Sequence, residues 1–275
     1  MLSVFPPNRR WTEILARTAV VGPASFILLA MAAQPALAQQ CSAKSPAHTV
    51  ALLELYTSEG CSSCPPADKF VSGLGARPDL ALQVVPLALH VDYWDYIGWK
   101  DRFAMRDYTE RQRWLSGLAH SKTVYTPEIF VSSRELRDWN TAGGLPDALQ
   151  RINAKPAQAD IVLRQRGRSG NAATIEVEAR APAGGKLFVA LFENGLSSQV
   201  KSGENSGTTL KHDYVVRDWI GPVVLSAAAG QQKIILPRAL VLPADAQQGR
   251  LGVAAFIQSG EGEVIQALST PLCKG

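Results

Sequence analysis

The sequence predicts an α/β domain followed by a β-rich half folded as an antiparallel sandwich. Two patterns predict it. Residues 49–74 read as an apolar β-forming run, a turn and then helical spacing. After Lys155-Pro156 the chain becomes a succession of short alternating segments parted by Gly, Asn and Pro turns. A third observation is bulk: 275 residues, 46% of them hydrophobic and only 19% charged, suffice for a real core and exclude disorder. A net charge of +4 offers no electrostatic footprint for nucleic acid.

Arg9, Arg10 and Arg17 precede an apolar stretch from Ala19 to Ala33, and Ala36-Leu37-Ala38 supplies the small residues that a signal peptidase reads. Residues 1–38 are therefore expected to be a signal peptide, cleaved after Ala38. Gly22, Pro23 and Ser25 interrupt the run, which is shorter than the ~20 residues a membrane span needs. Without the leader's three Arg and one Glu, the chain keeps 25 basic and 23 acidic groups. A periplasmic or secreted protein without stable membrane insertion is expected.

Export makes disulfides permissible. Cys41 lies near the start of the mature chain and Cys273 near its end, and chain ends often meet, so the two are expected to form a structural staple. Cys61 and Cys64 form a C-x-x-C pair. With no second such pair and four scattered histidines (His48, His90, His120, His212), a structural zinc site is disfavoured.

Thr49 to Tyr56 reads as a buried strand that Thr57 to Gly60 breaks. Pro65 and Pro66 then occupy the first turn of a helix whose inward face is Phe70, Val71 and Leu74. The pair thus sits at a helix N-terminus, where unpaired N–H groups favour a thiolate on Cys61. Val84 to Val91 reads as a second buried strand. From Tyr93 to Trp114, 22 residues hold seven of the chain's 20 aromatics, either as extra core or as a wall over the site. Asp101 to Leu118 has helical spacing, with Asp101 as its cap and Arg102, Arg106, Arg111 and Arg113 on its solvated side.

The segment Tyr56-Thr57-Ser58-Glu59-Gly60-Cys61-Ser62-Ser63-Cys64 resembles the active-site turn of the thioredoxin-like superfamily, especially its glutaredoxin branch. Thr126-Pro127-Glu128-Ile129-Phe130-Val131 resembles the segment in which a cis-proline faces the dithiol. Gly143-Gly144 is similar to the glycine pair opening the last glutaredoxin helix. The longer run from Thr57 to Asp68 resembles that of exported bacterial proteins catalogued as a domain of unknown function with a thioredoxin-like fold. This resemblance implies a thioredoxin-like domain over residues 39–155, ahead of a β-rich half over 156–275 that the staple ties back. Ser62-Ser63 departs from familiar redox turns, so no potential carries over.

The leading expectation is an exported thiol–disulfide oxidoreductase-like protein. In it Cys61 attacks a substrate disulfide, Cys64 resolves the mixed disulfide, and Pro127 shapes the docking edge with the Thr126 backbone. The partner is a protein or small-molecule thiol or disulfide, and the cycle needs no cofactor or metal. Glu54 is read as a proton acceptor for Cys64 or as a solvated strand residue. Glu59 and Asp68 flank the pair. His90 ends a central strand as a structural or supporting residue. His212 lies in a polar loop that is either a long hairpin or an arm reaching Cys61. Two alternatives stand beside this: a copper or other soft-metal site on Cys61, Cys64 and a histidine, and a binding scaffold with a permanent disulfide.

Overall fold

The computed structural model describes residues 41–273; the expected signal peptide lies outside them. In chain order, β1 (Ser42–Lys44) and β2 (Ala51–Thr57) precede α1 (Pro65–Gly73) and β3 (Val84–His90). Next come α2 (Arg106–Leu118), β4 (Glu128–Val131), β5 (Arg134–Glu135) and α3 (Gly144–Asn153). Then follow β6 (Asp160–Ser169), β7 (Ala172–Arg180), β8 (Gly185–Glu193), β9 (Leu196–Gln199), β10 (Thr209–His212) and β11 (Val215–Leu225). The last strands are β12 (Gln232–Ile234), β13 (Leu240–Val241), β14 (Leu251–Gln258) and β15 (Val264–Pro271).

These strands overturn the expected fold class. Rather than a thioredoxin-like α/β domain followed by a β-rich half, the structure is β-rich throughout. Its backbone is one eight-stranded sheet of order β15-β14-β8-β11-β3-β2-β4-β5, drawn from both sides of residue 155. The physical reason lies in β3 and β8. β3 is buried along its whole length and pairs in parallel with β2 on one side and with β11 on the other. β8 is buried on both faces from Leu187 onward and pairs with β11 and β14. A strand buried on both faces needs a packed layer on each side of its sheet. Strand character was legible in these segments; their partners were not.

Alternation sorts the side chains onto two faces. On one, Leu52 and Tyr56 of β2, Leu87 and Leu89 of β3, Phe192 of β8 and Phe256 of β14 form a core with Tyr108 and Leu115 of α2. On the other, Leu53 and Leu55 pack beneath Ala67 and Val71 of α1 and Leu145 and Leu149 of α3. Farther along, Val189 and Leu191 of β8 and Val253 and Ile257 of β14 meet Ile161, Leu163 and Val177 of a smaller antiparallel sheet. That sheet runs β1-β6-β7-β12, with β13 also on β7. The second half is therefore not a sandwich of its own, because one of the two packed layers is the sheet it shares with the first half.

Two local devices matter for the site. Gly144 opens α3 because a Cβ there would stand 2.1 Å from the Asp138 carbonyl oxygen. The staple forms between Cys41 and Cys273, Cα atoms 5.9 Å apart. Gln165 of β6 holds both ends, its N–H donating to the Cys41 carbonyl and its Oε1 accepting the Cys273 N–H. Among the described residues no helix is long and apolar enough to cross a membrane.

Candidate functional site

β2 ends at Thr57 and the chain folds over its carboxyl end. The Cys61 N–H donates to the Ser58 carbonyl at 3.1 Å, and that of Cys64 to the Cys61 carbonyl at 3.3 Å. Cys61 and Cys64 are joined as a disulfide with Cα atoms 5.5 Å apart. Cys64 is the N-cap of α1, and Pro65-Pro66 starts the helix where no N–H is missed. The Ala67 and Asp68 N–H groups close on the Cys64 carbonyl. Both cysteines are fully buried, whereas Ser62 and Ser63 between them are exposed.

Three segments hold the dithiol turn. The Thr126–Pro127 peptide is cis and precedes β4. The Thr126 carbonyl oxygen lies 3.8 Å from Cys61 Sγ, and Ser63 Oγ stands 3.3 Å from each of them. From the aromatic segment, the Trp94 indole N–H donates to Thr126 Oγ1 at 2.7 Å. From the loop joining β9 to β10, Glu204 accepts the Ser62 N–H at 2.9 Å. The buried Asn205 amide donates to the carbonyls of both Glu59 and Cys61, each at 2.9 Å.

Behind the disulfide lies a buried polar cluster on the sheet face that carries α1. His90 ends β3 and is fully buried, with Nδ1 2.6 Å from Asp101 Oδ2. Asp101 also accepts the Glu59 N–H at 2.9 Å. His212, from the end of β10, sets its ring edge-on to His90 with centroids 5.0 Å apart. Its Nε2 is 3.4 Å from Glu59 Oε1 and its Nδ1 3.7 Å from Asp68 Oδ1. The Thr57 hydroxyl donates to Asp68 Oδ2 at 3.1 Å, and the Trp99 indole N–H to Glu59 Oε2 at 2.8 Å. Phe103 closes the cluster over both imidazoles.

The electrostatics follow from this crowding. Burial works against the His212 imidazolium, yet Asp68 and Glu59 outweigh it and raise its pKa to about 9. Burial pushes the Glu59 carboxyl up, but His212 and the indole of Trp99 bring it below the usual carboxylate range. Asp101 is likewise held low against burial by His90 and two backbone N–H groups. Ligand atoms of Asp68, His90 and His212 all lie within 4.8 Å of one another. Those three residues could hold a metal ion.

The expected site residues therefore divide. Cys61, Cys64, Thr126, Pro127, Glu59, His90 and His212 come together, and the polar loop is an arm onto the dithiol turn as well as a hairpin. Glu54 does not join them. It shares the opposite sheet face with Leu52 and Tyr56, where Arg111 of α2 binds it through Nε at 2.5 Å and Nη2 at 3.1 Å. Strand alternation turns it away from Cys64, so it is neither that thiol's proton acceptor nor solvated. Arg111 is correspondingly turned inward and mostly covered rather than on the solvated side of α2, and its guanidinium lies over Phe188, Trp219 and Phe256.

Asp101 is no helix cap, since α2 starts only at Arg106 with Met105 as its N-cap. Of the aromatics, Trp94 and Trp99 hydrogen-bond to site residues, while Tyr93 packs beside the α2 core. Glu128 was missed, and Asn205 was seen only as part of the polar loop Gly203 to Gly207. Glu128 follows Pro127 and is buried against Gln112 and Ser116 of α2. A carboxylate in an otherwise apolar strand, Glu128-Ile129-Phe130-Val131, was the available signal for it. For Asn205 the local signal was the polar, glycine-bounded loop, which did not say which of its residues would bond to the turn.

Comparison with known proteins places this architecture. Among solved structures, a structural-genomics crystal structure of a protein from Agrobacterium tumefaciens aligns with a TM-score of 0.59 at 23% identity, covering 83% of this chain and 97% of that one. HBP35 of Porphyromonas gingivalis aligns with a TM-score of 0.60 at 15% identity, covering 83% and 76% respectively. At such identities the likeness is one of fold. No curated protein matches the chain. The family model described as "Protein of unknown function (DUF1223)" matches residues 52–258, from β2 through β14. Since that stretch includes the dithiol turn, the buried cluster and the arm, the chain belongs to the DUF1223 family.

Proposed function

We propose that the protein is an exported thiol–disulfide oxidoreductase-like protein whose exchanging pair is Cys61–Cys64. The observation that carries this reading is the joined pair at the N-terminus of α1, with the Thr126 carbonyl and cis-Pro127 beside Cys61. In the reduced state the helix terminus stabilises a thiolate on Cys61. That thiolate attacks a substrate disulfide, forming a Cys61–substrate bond and expelling the substrate's other sulfur as thiolate. Cys64, deprotonated, then attacks Cys61 Sγ, releasing the second substrate thiol and restoring the Cys61–Cys64 disulfide. Two electrons pass to the substrate, and an external dithiol returns them. The reverse direction oxidises a substrate dithiol. The partner is a protein or small-molecule thiol or disulfide in the periplasm or outside the cell.

Both sulfurs are fully buried, so the turn must open before exchange, and release of the arm at Glu204 and Asn205 is the opening step of this reading. The test is trapping and turnover. Cys64→Ser should accumulate a mixed disulfide with a disulfide-containing peptide through Cys61, and Cys61→Ser should abolish turnover of that peptide by dithiothreitol. A Cys61–Cys64 bridge that resists dithiothreitol until the protein unfolds would overturn the proposal and leave the bridge structural.

A further inference from the structure

The two imidazoles behind the dithiol are presented as metal ligands are. We propose that Asp68, His90 and His212 form a binding site for one divalent transition-metal ion of the zinc class. The inference goes beyond thiol exchange and does not depend on it.

Each of the three side chains is backed by a group that orients it. Asp101 takes the Nδ1 side of His90 at 2.6 Å, leaving Nε2 buried and without a hydrogen-bond partner. Ligating histidines characteristically hold a carboxylate on the ring nitrogen remote from the metal. Glu59 stands 3.4 Å from Nε2 of His212, and Nδ1 of that ring, also unpartnered and buried, faces Asp68 Oδ1 at 3.7 Å. Thr57 occupies the other oxygen of Asp68, so Oδ1 remains to coordinate. Buried polar groups without partners are rare in folded proteins, and here two imidazoles each turn one such nitrogen, Nε2 of His90 and Nδ1 of His212, into the same cluster, where one ion could take both.

Dimensions and charge agree. Ligand atoms within 4.8 Å of one another need side-chain shifts of under about 1 Å to reach metal bonds of roughly 2.0–2.2 Å. Glu59, Asp68 and Asp101 set three buried carboxylates around two imidazoles, an excess of negative charge that a dication offsets. Two nitrogens and one oxygen suit zinc, cobalt or iron in the divalent state better than magnesium or calcium, which prefer all-oxygen shells. The cysteines are not in the set, because their sulfurs are joined to each other.

The test uses the whole mature chain with both disulfides intact and any free thiol alkylated, after stripping with a chelator. Titration with Co²⁺ should develop d–d absorption saturating at one equivalent, and Zn²⁺ should displace it. His90→Ala and His212→Ala should each weaken Zn²⁺ binding at least 100-fold. Asp101→Asn should weaken it about 10- to 100-fold while keeping one equivalent. His48→Ala and His120→Ala, outside the cluster, should change nothing. If a buried-histidine variant fails to fold, the unmutated protein decides, since Zn²⁺ must raise its Tm and give the Co²⁺ spectrum. Absence of both overturns the proposal, as does binding that survives both histidine substitutions. Binding that appears only after reduction assigns the metal to Cys61 and Cys64, and overturns it too.

Discussion

Asn205 is the narrowest link between the arm and the dithiol turn, and its replacement gives a quantitative test. Its Nδ2 donates two hydrogen bonds of 2.9 Å, to carbonyls 146 and 144 residues away in the chain, from a buried side chain. A hydrogen bond of this kind contributes about 1 kcal/mol net, and a buried acceptor left unmet costs about 1–3 kcal/mol. Glu59 and Cys61 are fully buried; the Cys61 carbonyl keeps the Cys64 N–H, whereas the Glu59 carbonyl is left unmet unless the turn opens. Asn205→Ala is therefore expected to destabilise the oxidised protein by about 2–4 kcal/mol in urea unfolding. Asn205→Asp, nearly the same shape, would aim a carboxylate at two carbonyl oxygens near Glu59 and should cost at least as much. Both variants should also speed reduction of Cys61–Cys64 by dithiothreitol, because the arm no longer holds the turn. If both show no loss of stability in urea and reduce at the rate of the unmutated protein, the arm does not clamp the turn and the reasoning fails.

Three further outcomes are expected. Breaking the buried Arg111–Glu54 pair by Arg111→Met should cost about 3–5 kcal/mol in urea unfolding, and Glu54→Gln in the same background should recover part of it. Burial raises the Glu128 carboxyl from its ordinary value of 4.5 to about 7, so its contribution to stability is full below pH 4.5 and is lost as pH rises to 7. Glu128→Gln should accordingly gain on the order of 2 kcal/mol relative to the unmutated protein in alkaline buffer and nothing in acid below that range, read from parallel urea titrations. Replacing Cys41 and Cys273 by Ser removes a bridge across 232 residues and should cost about 5 kcal/mol by chain entropy, with β1 and the end of β15 showing the largest loss of hydrogen-exchange protection.

Much of the site was legible because its chemistry is local. The C-x-x-C turn, Pro65-Pro66 and Thr126-Pro127 each declare a backbone need within a few residues, and the structure meets them there. β2, β3, β8 and β14 were visible as apolar runs, and the Cys41–Cys273 pairing followed from where chain ends tend to lie. What stayed hidden is partnership at a distance. β11, Val215–Leu225, is broken by Arg217, Asp218 and Gly221-Pro222 and carries two register shifts against β8, so no clean alternation marks it. Yet β11 is the strand that joins the halves, and without it the first half reads as a unit of its own. His90 and His212 looked scattered for the same reason, since their meeting depends on that junction. Glu54 shows the complementary error: its neighbour in sequence was the dithiol strand, but period-two alternation, not proximity along the chain, decides which face a side chain serves.

The β3–β11 junction has a consequence for biogenesis. Cys61, Cys64 and His90 are made early, whereas Glu204, Asn205 and His212 are made late. No N-terminal fragment that stops short of β10 contains the whole buried cluster or its cover. A chain still being synthesised, or one cut in the middle, would carry its dithiol turn without the arm bonded to it. Long-range pairing of this kind is intrinsically slow to form. The finished cluster therefore doubles as a record that the chain is whole: it is complete only when the last third has found the first.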